Sequence, residues 1–162
     1  MANYTETQIF IVVRKYLLQN DWLIIGGQPP SGTDYLPVIE IRDPNFKGKG
    51  SKGSFKPDLI AWNDSKLFII ELKPLFNNSD REKLNSVLNS SERVNSLWDS
   101  LTERNIDIGS LGKMSDLRSF SRVVGGLGYS GTKVEHPELW RFFVNNGEVE
   151  VTPGKLATDF DK

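Results

Sequence analysis

The segment Lys56–Pro74, KPDLIAWNDSKLFIIELKP, restricts the possible folds more than any other part of the chain. It holds two apolar runs separated by Asn63-Asp64-Ser65, residues that favour turns because their short polar side chains bond the local backbone. Each run is far shorter than the roughly 18 residues of a membrane span. They read as strands over Asp58–Trp62 and Leu67–Lys73, joined as a hairpin. A side-chain period of two puts Leu67, Ile69, Glu71 and Lys73 on one face and Phe68, Ile70 and Leu72 on the other. If Trp62 pairs with Leu67 across the turn, antiparallel register sets Asp58 opposite Glu71. Directly opposed residues have Cβ atoms about 5 Å apart and share a face. The expected result is two carboxylates and an ammonium at one end of an otherwise apolar strand pair.

The rest of the chain supplies partners for that pair. Thr5 with Gln8 forms a capping-box signal, and Ile9, Val12, Val13, Tyr16 and Leu17 follow at helical spacing, which predicts a helix over about 5–19. Trp22–Ile25 reads as a short strand ended by Gly26-Gly27, Gln28–Asp34 as a loop, and Tyr35–Arg42 as a strand that alternates from Val38 onward. Ser79 with Glu82 opens a second helix, whose stripe of Leu84, Val87, Leu88, Val94, Trp98 and Leu101 runs to about residue 104. Residues 105–119 are polar, with a short helix expected at 113–119. Phe120–Val124 reads as a strand that ends in a Gly125–Gly128 turn. Leu139–Val144 and Glu148–Val151 flank Asn145-Asn146-Gly147, and Asn-Gly is a strong hairpin signal. The reading is α/β: a mixed, mostly hairpin-built central sheet flanked by helices. All 162 residues form one domain, with a core over about 5–124 and a C-terminal β-hairpin extension over 125–162.

Two neighbouring carboxylates raise one another's pKa unless positive charge intervenes. The chain has no cysteine and a single histidine, His136, so a metal site must be built from carboxylates and carbonyls. Such ligands suit Mg²⁺, Mn²⁺ or Ca²⁺. A metal there would activate water and stabilise charge on a phosphoryl oxygen, with Lys73 positioned to assist. Glu6 lies on the apolar side of the first helix, which brings it toward the same place. The competing reading is a structural ion network at the sheet edge.

Pro57-Asp58, twelve intervening residues and then Glu71-Leu72-Lys73 resemble the signature of the PD-(D/E)XK nuclease superfamily, which includes restriction endonucleases and repair nucleases. The predicted element order over 5–124 is similar to that superfamily's core of helix, three strands, helix and strand, with one additional early strand. The resemblance implies that Asp58 and Glu71 bind Mg²⁺ (or Mn²⁺) with the Leu72 carbonyl as a further ligand, that Lys73 is catalytic, and that Glu6 is the helical acid near the site, with Glu40 a weaker candidate. It implies a magnesium-dependent endodeoxyribonuclease, either a restriction endonuclease or its small catalytic subunit. A junction resolvase, a repair nuclease and a catalytically inactive nucleic-acid-binding or assembly subunit of the same fold are the alternatives.

DNA as partner needs local positive charge, because the net formal charge is −1. Residues 44–56 carry Lys47, Lys49, Lys52 and Lys56 among glycines, a candidate phosphate clamp. Arg81 and Lys83 begin the second helix just past the carboxylates and are further candidate phosphate contacts. One such footprint is small, so a homodimer or a heteromeric partner subunit is expected to add to it. His136 reads as an ordinary surface histidine. The N-terminus has Glu6 before its apolar stretch and no basic leader, so it does not read as a signal peptide, and a cytoplasmic location is expected.

Overall fold

The computed structural model describes residues 3–30, 36–42, 54–106, 117–119 and 122–155. Their elements run α1 (Glu6–Gln19), β1 (Leu23–Gly27), β2 (Leu59–Asn63), β3 (Lys66–Leu75), α2 (Asn78–Leu88), α3 (Ser91–Glu103), β4 (Val123–Ser130), β5 (Trp140–Asn145) and β6 (Glu148–Thr152). The six strands form one sheet in the order β1-β2-β3-β4-β5-β6. β1–β2, β2–β3 and β5–β6 are antiparallel, whereas β3–β4 and β4–β5 are parallel. The architecture is therefore α/β with a mixed sheet flanked by helices. Among the described residues, no helix is long and apolar enough to cross a membrane.

Local chemistry explains the elements that the sequence predicted. Thr5 and Gln8 close the capping box of α1, and Ile9, Phe10, Val13 and Leu17 are its buried stripe. The β2–β3 turn places Asp64 and Ser65 at φ of 49° and 60°, and the β5–β6 turn places Asn146 and Gly147 at 53° and 74°. Paired positive φ values are those of the two-residue turn whose twist matches that of the flanking strands. Trp62 pairs with Leu67, the expected register.

Alternation then sorts β3 between two cores. Phe68, Ile70 and Leu72 pack with α1, while Leu67 and Ile69 pack with Leu84, Val87, Leu88, Val94, Leu97, Trp98 and Leu101 of α2 and α3. Each buried large apolar side chain contributes on the order of 1.5–3 kcal/mol.

Four expectations are corrected. The Tyr35–Arg42 strand is absent over the described residues 36–42, which make only an isolated bridge between Ile41 and Phe55. Pro37 has no N–H for a ladder, and its carbonyl instead accepts from the Gly27 amide at 3.0 Å. The single helix from Ser79 to about 104 is two helices. Asn77, not Ser79, caps α2, and Ser90 breaks the run because its side chain accepts from the Arg93 amide to start α3. The short helix expected at 113–119 falls largely outside the described residues, and 117–119 are not helical.

The fourth correction concerns Gly125–Gly128, which is no turn. It lies in β4, fully buried, and the strand runs to Ser130. The absent side chains make room for neighbours: a Cβ on Gly125 would lie 2.8 Å from Leu139 and 3.0 Å from Leu88, and one on Gly128 would lie 2.5 Å from Leu72. The sheet is accordingly less hairpin-built than expected, since β4 joins it through two parallel pairings. The hairpin of β5 and β6 is continuous with the sheet, and Phe142 and Val144 belong to the α1-side core.

Candidate active site

The β2–β3 ladder has Leu59↔Ile70 as its last pair before the open end of the hairpin, so the next opposed positions are Asp58 and Glu71. The two residues hold each other crosswise. The Asp58 amide donates to Glu71 Oε2 at 3.0 Å, and the Leu72 amide donates to Asp58 Oδ2 at 2.8 Å. Their carboxyl groups lie close enough for a proton held on Glu71 to bridge them. Glu71 is 5% exposed. Burial, followed by the Asp58 charge, pushes its pKa up to about 9. Burial also raises Asp58, against the opposing pull of the Glu71 hydrogen bond, the Leu72 amide and Lys73. Near neutrality Glu71 therefore keeps its proton, shared across the pair.

Lys73 reaches the site through a break in the pattern. Leu72 pairs with Gly128 but Leu75 with Ser130, so three steps along β3 match two along β4. The bulge falls at Lys73-Pro74, where proline has no N–H to pair, and bulges of this kind re-aim side chains. Lys73 Nζ lies 3.5 Å from Glu6 Oε1 at the start of α1. Burial pulls the Lys73 pKa down, but Asp80, Glu6, Asp58 and Glu71 together hold it above its ordinary value. Its ammonium is thus secured in the charged form.

The structure brings together Asp58, Glu71, Leu72, Lys73 and Glu6, and adds two groups from α2. Asp80, 4% exposed, was not singled out from the sequence. Its amide is capped by Asn77 Oδ1 at 3.1 Å, so it stands at the third position of α2, the helix that follows the Glu71 strand. An acid three residues after a capping asparagine, at that place in the chain, was the available signal. Burial raises its pKa, and Lys73 and Lys83 pull it back. Lys83, expected to contact phosphate, lies on the carboxylates instead: 3.5 Å from Glu71 Oε1, 3.8 Å from Asp80 Oδ1, and 5.1 Å above the Phe55 ring centroid.

The remaining candidates lie elsewhere. Arg81 makes a two-pronged pair with Glu138 at 2.7 and 3.0 Å, so its charge is already engaged. The Glu40 carbonyl accepts from Ser100 on α3 at 2.7 Å, and it is Glu6 that meets Lys73. Lys56 is half-buried two residues before Asp58, while Lys47, Lys49 and Lys52 lie outside the described residues. His136 is not a surface residue. It is 3% exposed, bonded through Nε2 to the Tyr129 hydroxyl at 2.9 Å and stacked on Phe76. The end of β4 carries Tyr129 over it from seven residues away, and Phe76 reaches it from 60 residues away, a contact that its polar sequence neighbours do not reveal.

The donor set fits a hard divalent cation. The opposed pair offers oxygen ligands only, and burial, then the Asp58 charge, raises the Glu71 pKa, a cost that a bound cation would relieve. Among the described residues no group of three or more Asp, Glu or His is arranged to hold a metal. Two carboxylates with a carbonyl and water is a set that Mg²⁺ accepts, because it dehydrates reluctantly. No protein-family model matches the chain, and no curated protein matches it at a significant level.

Proposed function

We propose that this chain is a divalent-cation-dependent endonuclease of the PD-(D/E)XK kind that hydrolyses DNA phosphodiester bonds. One observation carries the reading: Asp58 and Glu71 stand opposed at the end of β2–β3, and a bulge sets Lys73 beside them, between Glu6 and the buried Asp80. The element order adds support. Among the described residues, with no strand over 36–42, the order is helix, three strands, helices and a strand parallel to β3, nearer the superfamily's core than the sequence alone suggested.

Asp58 and Glu71 would hold the cation, with the Leu72 carbonyl as a third ligand. The bound ion supplies Lewis acidity at the phosphoryl oxygen and lowers the pKa of water to a usable range. To load it, Glu71 must release its shared proton, so loading takes up base. Lys73, kept charged by the acids around it, stabilises negative charge developing on the phosphoryl oxygen and orients the attacking water. Glu6 holds Lys73 in place. Since the net charge is −1 and Arg81 is engaged by Glu138, a second copy or a partner subunit is assigned much of the DNA affinity.

A second reading is a catalytically inactive nuclease-fold assembly subunit. The position of Lys83 Nζ, 3.5 Å from Glu71, favours it, because an internal ammonium could stand permanently where a cation would act. Supercoiled plasmid incubated with the chain and Mg²⁺ or Mn²⁺ separates the two. The nuclease reading expects nicking or linearisation that EDTA and Glu71→Ala abolish, and that Lys73→Ala slows by about 10²–10³-fold, the usual loss for one charge-stabilising donor. No cleavage together with no cation-dependent thermal stabilisation would refute it. Stabilisation without cleavage would assign the chemistry to a complex with a partner subunit.

A further inference from the structure

A cavity of about 250 Å³ opens at the carboxyl ends of β3, β4 and β5, lined by Tyr4, Pro74, Leu75, Ser130 and Asn145, among others. We infer that it receives a single unstacked nucleobase of the DNA strand whose phosphodiester lies at Asp58 and Glu71, so that the substrate is a strand with locally unpaired or displaced bases and not an undistorted duplex. This rests on the proposed nuclease function.

Continuity with the carboxylate site is the first argument. Leu75 walls the cavity and also the narrow space that holds Glu71, Lys73 and Asp80. It follows Lys73 by two residues, a reach of about 7 Å in extended chain. On the other side, Tyr4 precedes Glu6 by two residues, and Glu6 is the partner of Lys73. A strand with its phosphate at the carboxylates therefore passes the cavity mouth with its neighbouring base.

The lining argues for a base over other ligands. None of its residues is charged, which disfavours a phosphate or a free amino acid. Tyr4, Pro74 and Leu75 offer apolar surfaces, while Asn3 and Asn145 offer amide donors and acceptors of the kind that base edges take. The volume falls below the roughly 300–1,000 Å³ of drug-sized pockets, which suits one ring system. Two features show a surface prepared for contact. Leu75 is 63% exposed, a desolvation opportunity beside a charged site. The Tyr4 hydroxyl accepts from the Gly147 amide at 2.8 Å, which anchors its ring to the β5–β6 turn and reduces the entropy lost on stacking.

The test uses the full chain, Ca²⁺ in place of Mg²⁺ to limit cleavage, and fluorescence anisotropy with labelled oligonucleotides in which an abasic position is stepped along the strand. One abasic position is expected to weaken binding by about tenfold, the scale of a lost base–aromatic stack. Leu75→Ser, at a position 63% exposed, should weaken the intact strand to a similar degree and erase the difference between intact and abasic strands. Tyr4→Ala should do the same. A flat scan, or discrimination that survives Leu75→Ser, overturns the inference. If plasmid cleavage depends on metal and Glu71 while the scan is flat, only the cavity assignment fails. If no strand binds under any ion, the cavity assignment fails, and the nuclease reading fails with it where the cation also brings no thermal stabilisation.

Discussion

Replacing Glu71 by glutamine should stabilise the protein while disabling it. In the metal-free chain Glu71 is buried against Asp58, and its pKa rises from 4.5 to about 9. The unfolded chain releases this proton near 4.5 and the folded one keeps it to about 9, so folding becomes progressively less favourable as pH rises between those values. The slope is about 1.4 kcal/mol per pH unit, which makes the cost of keeping Glu71 protonated at pH 7 about 3 kcal/mol. A glutamine carries no such cost. Its carbonyl still accepts from the Asp58 amide, and its NH₂ takes the place of the shared proton toward the Asp58 carboxylate. For a chain of this size, about 3 kcal/mol corresponds to roughly 6–12 °C in Tm. Thermal and urea melts in EDTA from pH 5 to 9 should show Glu71→Gln above wild type at pH 7, with the gap widening toward pH 9. Added Mn²⁺ should raise the wild type alone. A wild-type stability that is flat over this range, or a Gln variant that melts lower at pH 7 to 8, would refute the reasoning about the shared proton.

The other predictions concern the supports of the site and its surroundings. Gly27→Ala would put a Cβ 2.3 Å from the Asp58 carbonyl, in a backbone with φ of 154°, so it should destabilise by about 1–3 kcal/mol and weaken Mn²⁺ binding by calorimetry, because Asp58 must shift. Burial holds the His136 pKa below 6.5, against the hydrogen bond to the Leu139 carbonyl. The unfolded chain therefore takes up this proton before the folded one does, and stability present above pH 6.5 is lost as pH falls, opposite in sign to Glu71. In the Glu71→Gln background, melts between pH 5 and 6.5 should show this slope, and a pH-independent His136→Phe variant would isolate it. Trp98→Ala empties a fully buried position on α3 and abandons the bond from its indole N–H to the Ser119 carbonyl, for an expected loss of about 3–5 kcal/mol by urea denaturation.

The legible part of the fold was the part closed by short-range chemistry. Asp58 and Glu71 are 13 residues apart, joined through a hairpin whose turn residues and alternation set the register. Thr5 and Gln8 specified the start of α1, and Asn146-Gly147 specified the turn between β5 and β6. These outcomes rest on φ preferences, capping bonds and a period of two, all of which a chain carries wherever it is placed. Where two local signals competed, the reading failed. Ser90 could have continued a helix or capped the next one, and the cap formed; Pro37 interrupted an alternating run that otherwise buries Ile39 and Ile41 as a strand would.

The folded molecule alone decided the rest. Gly125–Gly128 pairs as a strand with β3 and β5, where Leu88, Leu139 and Leu72 occupy the space that side chains on Gly125 and Gly128 would need, and turn statistics do not know of those neighbours. Arg81 was spent on Glu138, 57 residues away, and His136 went beneath Tyr129 and Phe76. Asp80 and Lys83 joined the carboxylates because the first turns of α2 lie beside the buried Glu71. Local conformational preference determines which elements form and how a hairpin registers. Which charges meet, and which of them lose their water, depends on the packing of elements distant in the chain, and that desolvation is what sets the chemistry of the site.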